Sequence, residues 1–331
     1  MDKNMINKDT AIAQVAETGK VLLEEGLVAR TWGNISSRID ENTFVITPSG
    51  LDYTHMTPAD ITTVDMTTME WTGKRKPSSE KGVHQASYLE HSNVNFVIHT
   101  HQTYATAIGI TGIENLQITQ EERERLGGIA VAKYGLPGTK KLTQNVRAAL
   151  ASGAKVVLMA HHGALIGGVD REDAMEKVRL LEKVCQRNTK VNLERECKKE
   201  DITELQKELQ EKYPCIKIAQ NPATMQMIKL GGMKAQLDDM AQMIGRNLNV
   251  TAREHIDEAL NKMDVVLVPQ VGAIIKANDE DDVEAMEMLV EKAAVSYLHT
   301  KALGVKGCLP LLDTVLMRLV YTQKYSKQKE G

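Results

Sequence analysis

Apolar residues near the start of the chain recur at spacings of three and four. Ile12, Val15, Ala16, Gly19, Leu22 and Leu23 share one face of a helix predicted over residues 9 to 26, with Asp9 placed to cap it and Gly26 to end it. The period then shortens. Apolar runs at 44 to 47, 61 to 65 and 94 to 101 read as strands, a helical spacing returns near 141 to 151, and a second buried strand at 155 to 161 runs into a turn. Asp170 is positioned to cap a further helix. These elements alternate without the regular spacing of parallel βαβ units, so the pattern predicts an α/β fold with one mixed or antiparallel sheet covered by helices.

Beyond Val184 the pattern changes. Glu194 to Lys212 is dense in Glu and Lys and reads as a solvated linker helix, which Tyr213 and Pro214 end. Past it lies an internal repeat. Residues 156 to 183 align with 265 to 292 at an offset of 109, without a gap and with 11 identities in 28 positions. The predicted organisation is therefore a first module over residues 1–190, a charged linker over 191–214 and a partial copy over 215–331.

Length and composition fit this plan. A chain of 331 residues is enough for about two domains. With 41 basic and 44 acidic residues and a net charge of -3, no overall positive field is available for nucleic acid. An aromatic content of 4% also disfavours base-stacking platforms. Cys185, Cys197, Cys215 and Cys308 show no paired spacing and fit reduced thiols. No signal-like N-terminus or membrane-length apolar run is present, so a soluble, cytoplasmic protein without membrane contact is expected. His84, His255 and His299 read as ordinary helical residues, and Met225, Met227, Met233, Met240 and Met243 as core filler.

Candidate chemistry begins with His99 and His101, two residues apart on a predicted strand and so on one face. Alone, such a pair is usually a surface or hydrogen-bonded feature. The second buried strand, however, ends in His161 and His162, and because neighbours on a strand face opposite ways, one of these two can join the pair. Three imidazoles with an open position are the arrangement of a catalytic zinc, able to polarise a carbonyl. Upstream, residues 76 to 84 look like a helix start with Ser78 or Ser79 as N-cap and Glu80 in the first turn. Such a start suits an anion, as do the small-residue turns at 31 to 36 and 47 to 50.

In this order, Gly33-Asn34-Ile35-Ser36, Ile46-Thr47-Pro48-Ser49-Gly50, Pro77-Ser78-Ser79-Glu80, His99-Thr100-His101 and His162-Gly163 resemble the class II aldolase/adducin family, especially its L-fuculose-phosphate aldolase type. The resemblance covers residues 8 to 185 and implies a three-layer fold. It implies a divalent metal, usually zinc with manganese or cobalt as substitutes, held by His99, His101 and His162. It also implies Glu80 as the acid-base residue, and Thr31, Asn34, Ser49, Gly50, Ser78 and Ser79 around a substrate phosphate. The implied reaction is reversible cleavage of a short ketose 1-phosphate to dihydroxyacetone phosphate and a small aldehyde, through a metal-stabilised enediolate.

Pentulose-phosphate 4-epimerases of the superfamily tend to carry aspartate where Glu80 stands, which favours the aldolase over the epimerase. Related dehydratases, decarboxylases and non-catalytic adducin-like scaffolds are the alternatives. One departure concerns tyrosine. Fuculose-type aldolases have one shortly after the metal strand, whereas residues 115 to 120 have none, and Tyr325 is the weaker candidate for a mobile-tail proton donor. At the repeat offset, His162 falls on Val271, and the His99 and His101 positions fall on Glu208 and Gln210 within the linker helix. The second module is predicted to be metal-free and structural, and the protein to be a homo-oligomer.

Overall fold

The computed structural model describes residues 6–191, 193 and 199–328, with side chains to residue 323. It divides into two units, Met1–Asn188 and Thr189–Gly331. The first unit runs α1 (Lys8–Glu24), β1 (Asn34–Asp40), β2 (Thr43–Ile46), β3 (Thr62–Asp65), β4 (Trp71–Thr72), α2 (Lys81–Glu90), β5 (Phe96–Thr100), α3 (Thr103–Thr111), α4 (Gln120–Leu126), β6 (Ile129–Ala132), α5 (Lys140–Leu150), β7 (Val156–Met159), β8 (Gly163–Gly168) and α6 (Arg171–Asn188).

Eight strands form one sheet in the order β4-β3-β2-β1-β5-β8-β7-β6, antiparallel throughout except for the parallel β6-β7 pair. This is the mixed sheet expected from the alternation of elements. Strand alternation sends Phe96 and Ile98 into a core with α1, α3 and α6, and Val97 into a second core with Val83 of α2 and Val146 of α5. Helices therefore cover both faces, giving three layers. The central strands are buried on both sides, which is why β7 is an unbroken apolar run.

The second unit contains α7 (Thr203–Lys212), β9 (Ile216–Ala219), α8 (Pro222–Lys229), β10 (Gly232–Lys234), α9 (Asp238–Met243), β11 (Asn247–Asn249), α10 (Ile256–Leu260), β12 (Val265–Val268), β13 (Gly272–Lys276), α11 (Glu280–Ala302) and α12 (Leu311–Gln328). Its three-stranded sheet has the antiparallel order β12-β13-β9, and β10 pairs with β11 apart from it.

Several expectations are corrected. Asn7, not Asp9, caps α1 by accepting from the Thr10 N–H at 2.8 Å, and Asp9 sits in the first turn. The stretch from Asn34 is not a turn but a buried strand, because pairing on both edges with β2 and β5 outweighs its polar composition. The supposed solvated linker helix is also different. Residues 194–198 lie outside the described residues, and α7 packs into the second unit. Leu209 is buried with Ile216 and Ile218, while Gln206 donates to the Ile216 carbonyl and accepts from the Ile218 N–H, both at 2.9 Å. At 170 the expectation holds: the Asp170 carboxylate accepts from the Asp173 N–H at 2.9 Å.

The packing of α7 is testable. Leu209→Ala should destabilise the second unit by about 2–4 kcal/mol, read as lost hydrogen-exchange protection of β9 and β13 amides. A change below about 0.5 kcal/mol, the usual result for a surface site, would make α7 the solvated helix its composition suggests.

Candidate active site

Three backbone segments bring the histidines together. In the sheet, β5 lies between β1 and β8, so that Asn34 sits opposite His99 on one side and Leu165 on the other. The approach is close enough to exclude side chains. A Cβ on Gly33, whose φ is +79°, would lie 2.4 Å from the His99 carbonyl oxygen, and one on Gly163 would lie 2.2 Å from that of Thr100. The tight β7-β8 turn places His161 at φ +68°, directing it edge-on to Tyr134 and leaving His162 to face His99. The ambiguity between the two adjacent histidines is thus resolved by a turn rather than by strand alternation.

His99, His101 and His162 form a cluster with ring centroids 4.7 to 4.9 Å apart. One ligating atom from each lies within 4.8 Å of the others. The His101 and His99 Nε2 atoms are 3.0 Å apart. His99 is fully buried, and its Nδ1 lies 2.8 Å from the Ala164 carbonyl oxygen. A carbonyl only accepts, so Nδ1 carries the hydrogen and Nε2 of the neutral ring presents a lone pair to the cluster. Burial holds the His99 ring well below its usual pKa despite the nearby Glu80 carboxylate, which keeps that ring neutral.

Glu80 closes the cluster from the start of α2. Its Oε1 lies 3.0 Å from His162 Nε2, its Oε2 lies 3.3 Å from His99 Nε2, and Asn34 Nδ2 donates to Oε2 at 3.0 Å. Burial alone would raise this carboxyl. The His162 ring, by charge and by hydrogen bond, together with the Asn34 donor, outweighs it and holds Glu80 well below the usual carboxylate range. Three imidazole nitrogens converging beside an ionised carboxylate are a donor set that fits a divalent cation of the zinc kind. Contrary to the sequence expectation, Glu80 is itself the N-cap residue of α2, at φ −98° and ψ 12°, without a side-chain capping bond. Its carboxylate is turned into the cluster instead.

The predicted phosphate residues are partly gathered. An isolated bridge joins Pro48 to Pro77, with Ser49 N–H donating to the Lys76 carbonyl and Ser78 N–H to that of Thr47, so the 47–50 and 76–80 loops run side by side. Those two amides are thereby spent. Ser79 and Gly50 are exposed, Ser49 and Thr31 half-buried, and Ser78 buried with its Oγ accepting from the Glu80 N–H. Asn34 stands apart from an exposed anion loop, since it is buried and bonded to Glu80. The Tyr325 side chain lies outside the described residues.

Two features were missed in the sequence. Trp32 stacks on His101 with centroids 6.4 Å apart, and His84, taken as an ordinary helical residue, is fully buried behind Asn34 with burial pushing its pKa down to about 3. A signal for the latter existed: Glu80, His84 and Tyr88 recur every four residues, facing the Asn34 and Ser36 side of a strand.

Comparison with known proteins agrees with this geometry. The model of the class II aldolase and adducin N-terminal domain matches residues 13–189. A 5-deoxy-D-ribulose 1-phosphate aldolase of Bacillus thuringiensis serovar kurstaki is 32% identical over 46% of this chain and 72% of its own. A 3-oxo-tetronate 4-phosphate decarboxylase of Haemophilus influenzae is 29% identical over 51% of this chain and 81% of its own. The solved structure of an L-fuculose 1-phosphate aldolase, 31% identical, superposes with a TM-score of 0.51 over 56% of this chain and 87% of that one. The chain belongs to the class II aldolase and adducin family. It is an enzyme of the metal-dependent lyase kind within that family. A match to the enolase C-terminal TIM barrel domain over residues 179–294 crosses the boundary between the two units, where the second unit forms the antiparallel β12-β13-β9 sheet rather than a parallel barrel.

Burial of His84 gives a pH prediction. Its folded pKa of about 3 lies below the ordinary 6.5, so between these values the unfolded chain binds a proton that the folded one does not. This contribution to stability is complete above about pH 6.5 and declines as pH falls, by about 1.4 kcal/mol per unit. His84→Gln should flatten the slope of unfolding free energy against pH by that amount between about pH 4 and 6. An unchanged slope in equilibrium unfolding would mean that His84 is protonated in the folded protein.

Proposed function

We propose that this protein is a zinc-dependent aldolase that reversibly cleaves a short ketose 1-phosphate into dihydroxyacetone phosphate and a small aldehyde. The observation that carries the reading is the Glu80 carboxylate lying 3.0 to 3.3 Å from two of the three clustered imidazoles, beside any carbonyl bound there. His99, His101 and His162 would hold the ion, with manganese or cobalt as substitutes. When bound, it supplies Lewis acidity toward a carbonyl oxygen.

The chain's own groups supply the rest. Glu80, ionised and shielded from water, removes the proton beside the donor carbonyl in the synthetic direction and returns it during cleavage. The hydroxyls of Ser49, Ser78 and Ser79, with Gly50 and Thr31, meet the substrate phosphate at the paired loops. Asn34 orients Glu80. Homo-oligomeric operation in the cytoplasm belongs to the same reading.

A second reading has a specific support. Decarboxylation of a phosphorylated 3-oxo acid yields the same kind of carbanion, needs no proton donor for an aldehyde oxygen, and is named in two relatives. The absence of tyrosine from residues 115 to 120 is compatible with it.

The second unit is, on this proposal, a degenerate copy. Val265↔Ile275 and Val268↔Gly272 in β12-β13 repeat Val156↔Ile166 and Met159↔Gly163 in β7-β8 at the offset of 109. On the next strand, Ile274↔Ile218 repeats Leu165↔His99, so the equivalents of His99, His101 and His162 are Ile218, Gln220 and Val271. The positions first assigned by constant offset, Glu208 and Gln210, lie on α7 because the second unit is shorter by ten residues between these strands.

Purified protein should therefore contain one equivalent of divalent metal per chain by elemental analysis. Two equivalents, or none with refusal of added zinc and cobalt, would overturn the assignment. Glu80→Gln should keep its metal yet lose proton exchange on dihydroxyacetone phosphate by at least about a hundredfold. A panel of ketose 1-phosphates run beside phosphorylated 3-oxo acids decides between cleavage and decarboxylation.

A further inference from the structure

Behind the carboxylate lies a continuous ladder of buried polar side chains. Glu80, His84 and Tyr88 stand on successive turns at and beyond the start of α2, and Asn34 and Ser36 share a face of β1. The exposures are 8% for Glu80, 5% for Asn34, 2% for Tyr88 and 0% for both His84 and Ser36. Asn34 Nδ2 donates to Glu80 Oε2 at 3.0 Å, and its Oδ1 pairs with His84 Nε2. Ser36 Oγ lies 2.7 Å from His84 Nδ1 and 2.6 Å from the Tyr88 hydroxyl.

Bonding rules then set the direction of each step. The amide oxygen of Asn34 only accepts, so His84 Nε2 carries the hydrogen and Nδ1 of the neutral ring accepts from the Ser36 hydroxyl. Ser36 in turn accepts from Tyr88. Turning the Asn34 amide over would set its oxygen against the ionised Glu80 oxygen and its NH2 against the His84 N–H, two repulsive contacts in a buried site.

We propose that His84 is a positioning residue, which by donating to Asn34 Oδ1 keeps the Asn34 NH2 aimed at Glu80 and so holds the carboxylate at its station beside the three imidazoles. The proposal rests on the reading of Glu80 as the proton-transfer group. His84 touches neither the substrate site nor the metal nitrogens. Its effect is carried by geometry alone, and a small displacement of a proton-transfer group is costly.

The test compares His84→Met, which removes both ring nitrogens, with His84→Gln, whose amide NH2 can still reach Asn34. Proton exchange on dihydroxyacetone phosphate should fall about 10- to 100-fold in kcat for His84→Met, with KM within about twofold. His84→Gln should restore kcat to within about fivefold of wild type, and zinc content should be equal in all three. A readout free of catalysis accompanies it: the Asn34 side-chain NH2 signals in nitrogen-15 NMR should be protected from solvent exchange in wild type and His84→Gln, and unprotected in His84→Met. Should His84→Met fail to fold, Ser36→Ala, which removes the hydroxyl bonded to Nδ1, replaces it with an expected loss of about threefold or more in kcat.

Wild-type exchange rates in His84→Met, or equal losses in Met and Gln, would overturn the positioning role. If wild type itself shows no exchange, the functional reading fails while Asn34 protection still decides the role of His84.

Discussion

A buried carboxylate set against two of three clustered imidazoles is an electrostatic problem before it is a catalytic site. Lone pairs and negative charge crowded within hydrogen-bond distance, away from water, are stable only if positive charge is shared among them. The first unit fixes that arrangement through contacts on every side of it. The Ala164 carbonyl takes the His99 Nδ1 hydrogen, so that the ring's lone pair faces inward. Asn34 takes a carboxylate lone pair without neutralising it. Gly33 and Gly163 let the neighbouring backbone approach β5 closely enough for these contacts to be made.

The layered fold explains why the cluster can be rigid. Strand β5 is central, with β1 and β8 on its edges and apolar cores on both faces. Phe96 and Ile98 anchor one face while Val97 anchors the other, so the backbone that presents His99 is fixed in position and twist by close packing. His101, just past the strand end, is the least buried of the three imidazoles and has Trp32 stacked on it. The site thus grades from a fixed interior to an accessible rim within three residues.

What could be read beforehand follows a physical divide. The His99 and His101 pair, the buried strands and the Asp170 cap were legible because they rest on short-range periodicity and local hydrogen bonds. Strand β1 was not, since the sequence from Asn34 to Asp40 is polar and its burial depends on partners elsewhere in the chain: Ser36 on His84 and Tyr88, and Arg38 on backbone carbonyls of α2 and the following turn. For the same reason Glu80, read from its neighbours alone, looked like a first-turn carboxylate behind a serine cap, when its bonds run forty-six residues back to Asn34. Helix α7 misled through composition, because a helix rich in Glu and Lys still buries one face through Leu209.

The proposed duplication separates the requirements of backbone from those of chemistry. His161 and Gln270, which correspond at the offset of 109, adopt φ +68° and +65°, a conformation unusual for side chains other than glycine. Gly163 and Gly272 follow them, and a Cβ on either would lie within 2.4 Å of a carbonyl oxygen on the adjoining strand. Both turns keep this geometry, although the residue between is His162 in one and Val271 in the other. The left-handed turn is therefore a demand of the hairpin and its neighbouring strand, not of the imidazole it carries. In the first unit, a clustered imidazole occupies a position that the fold would have built in any case.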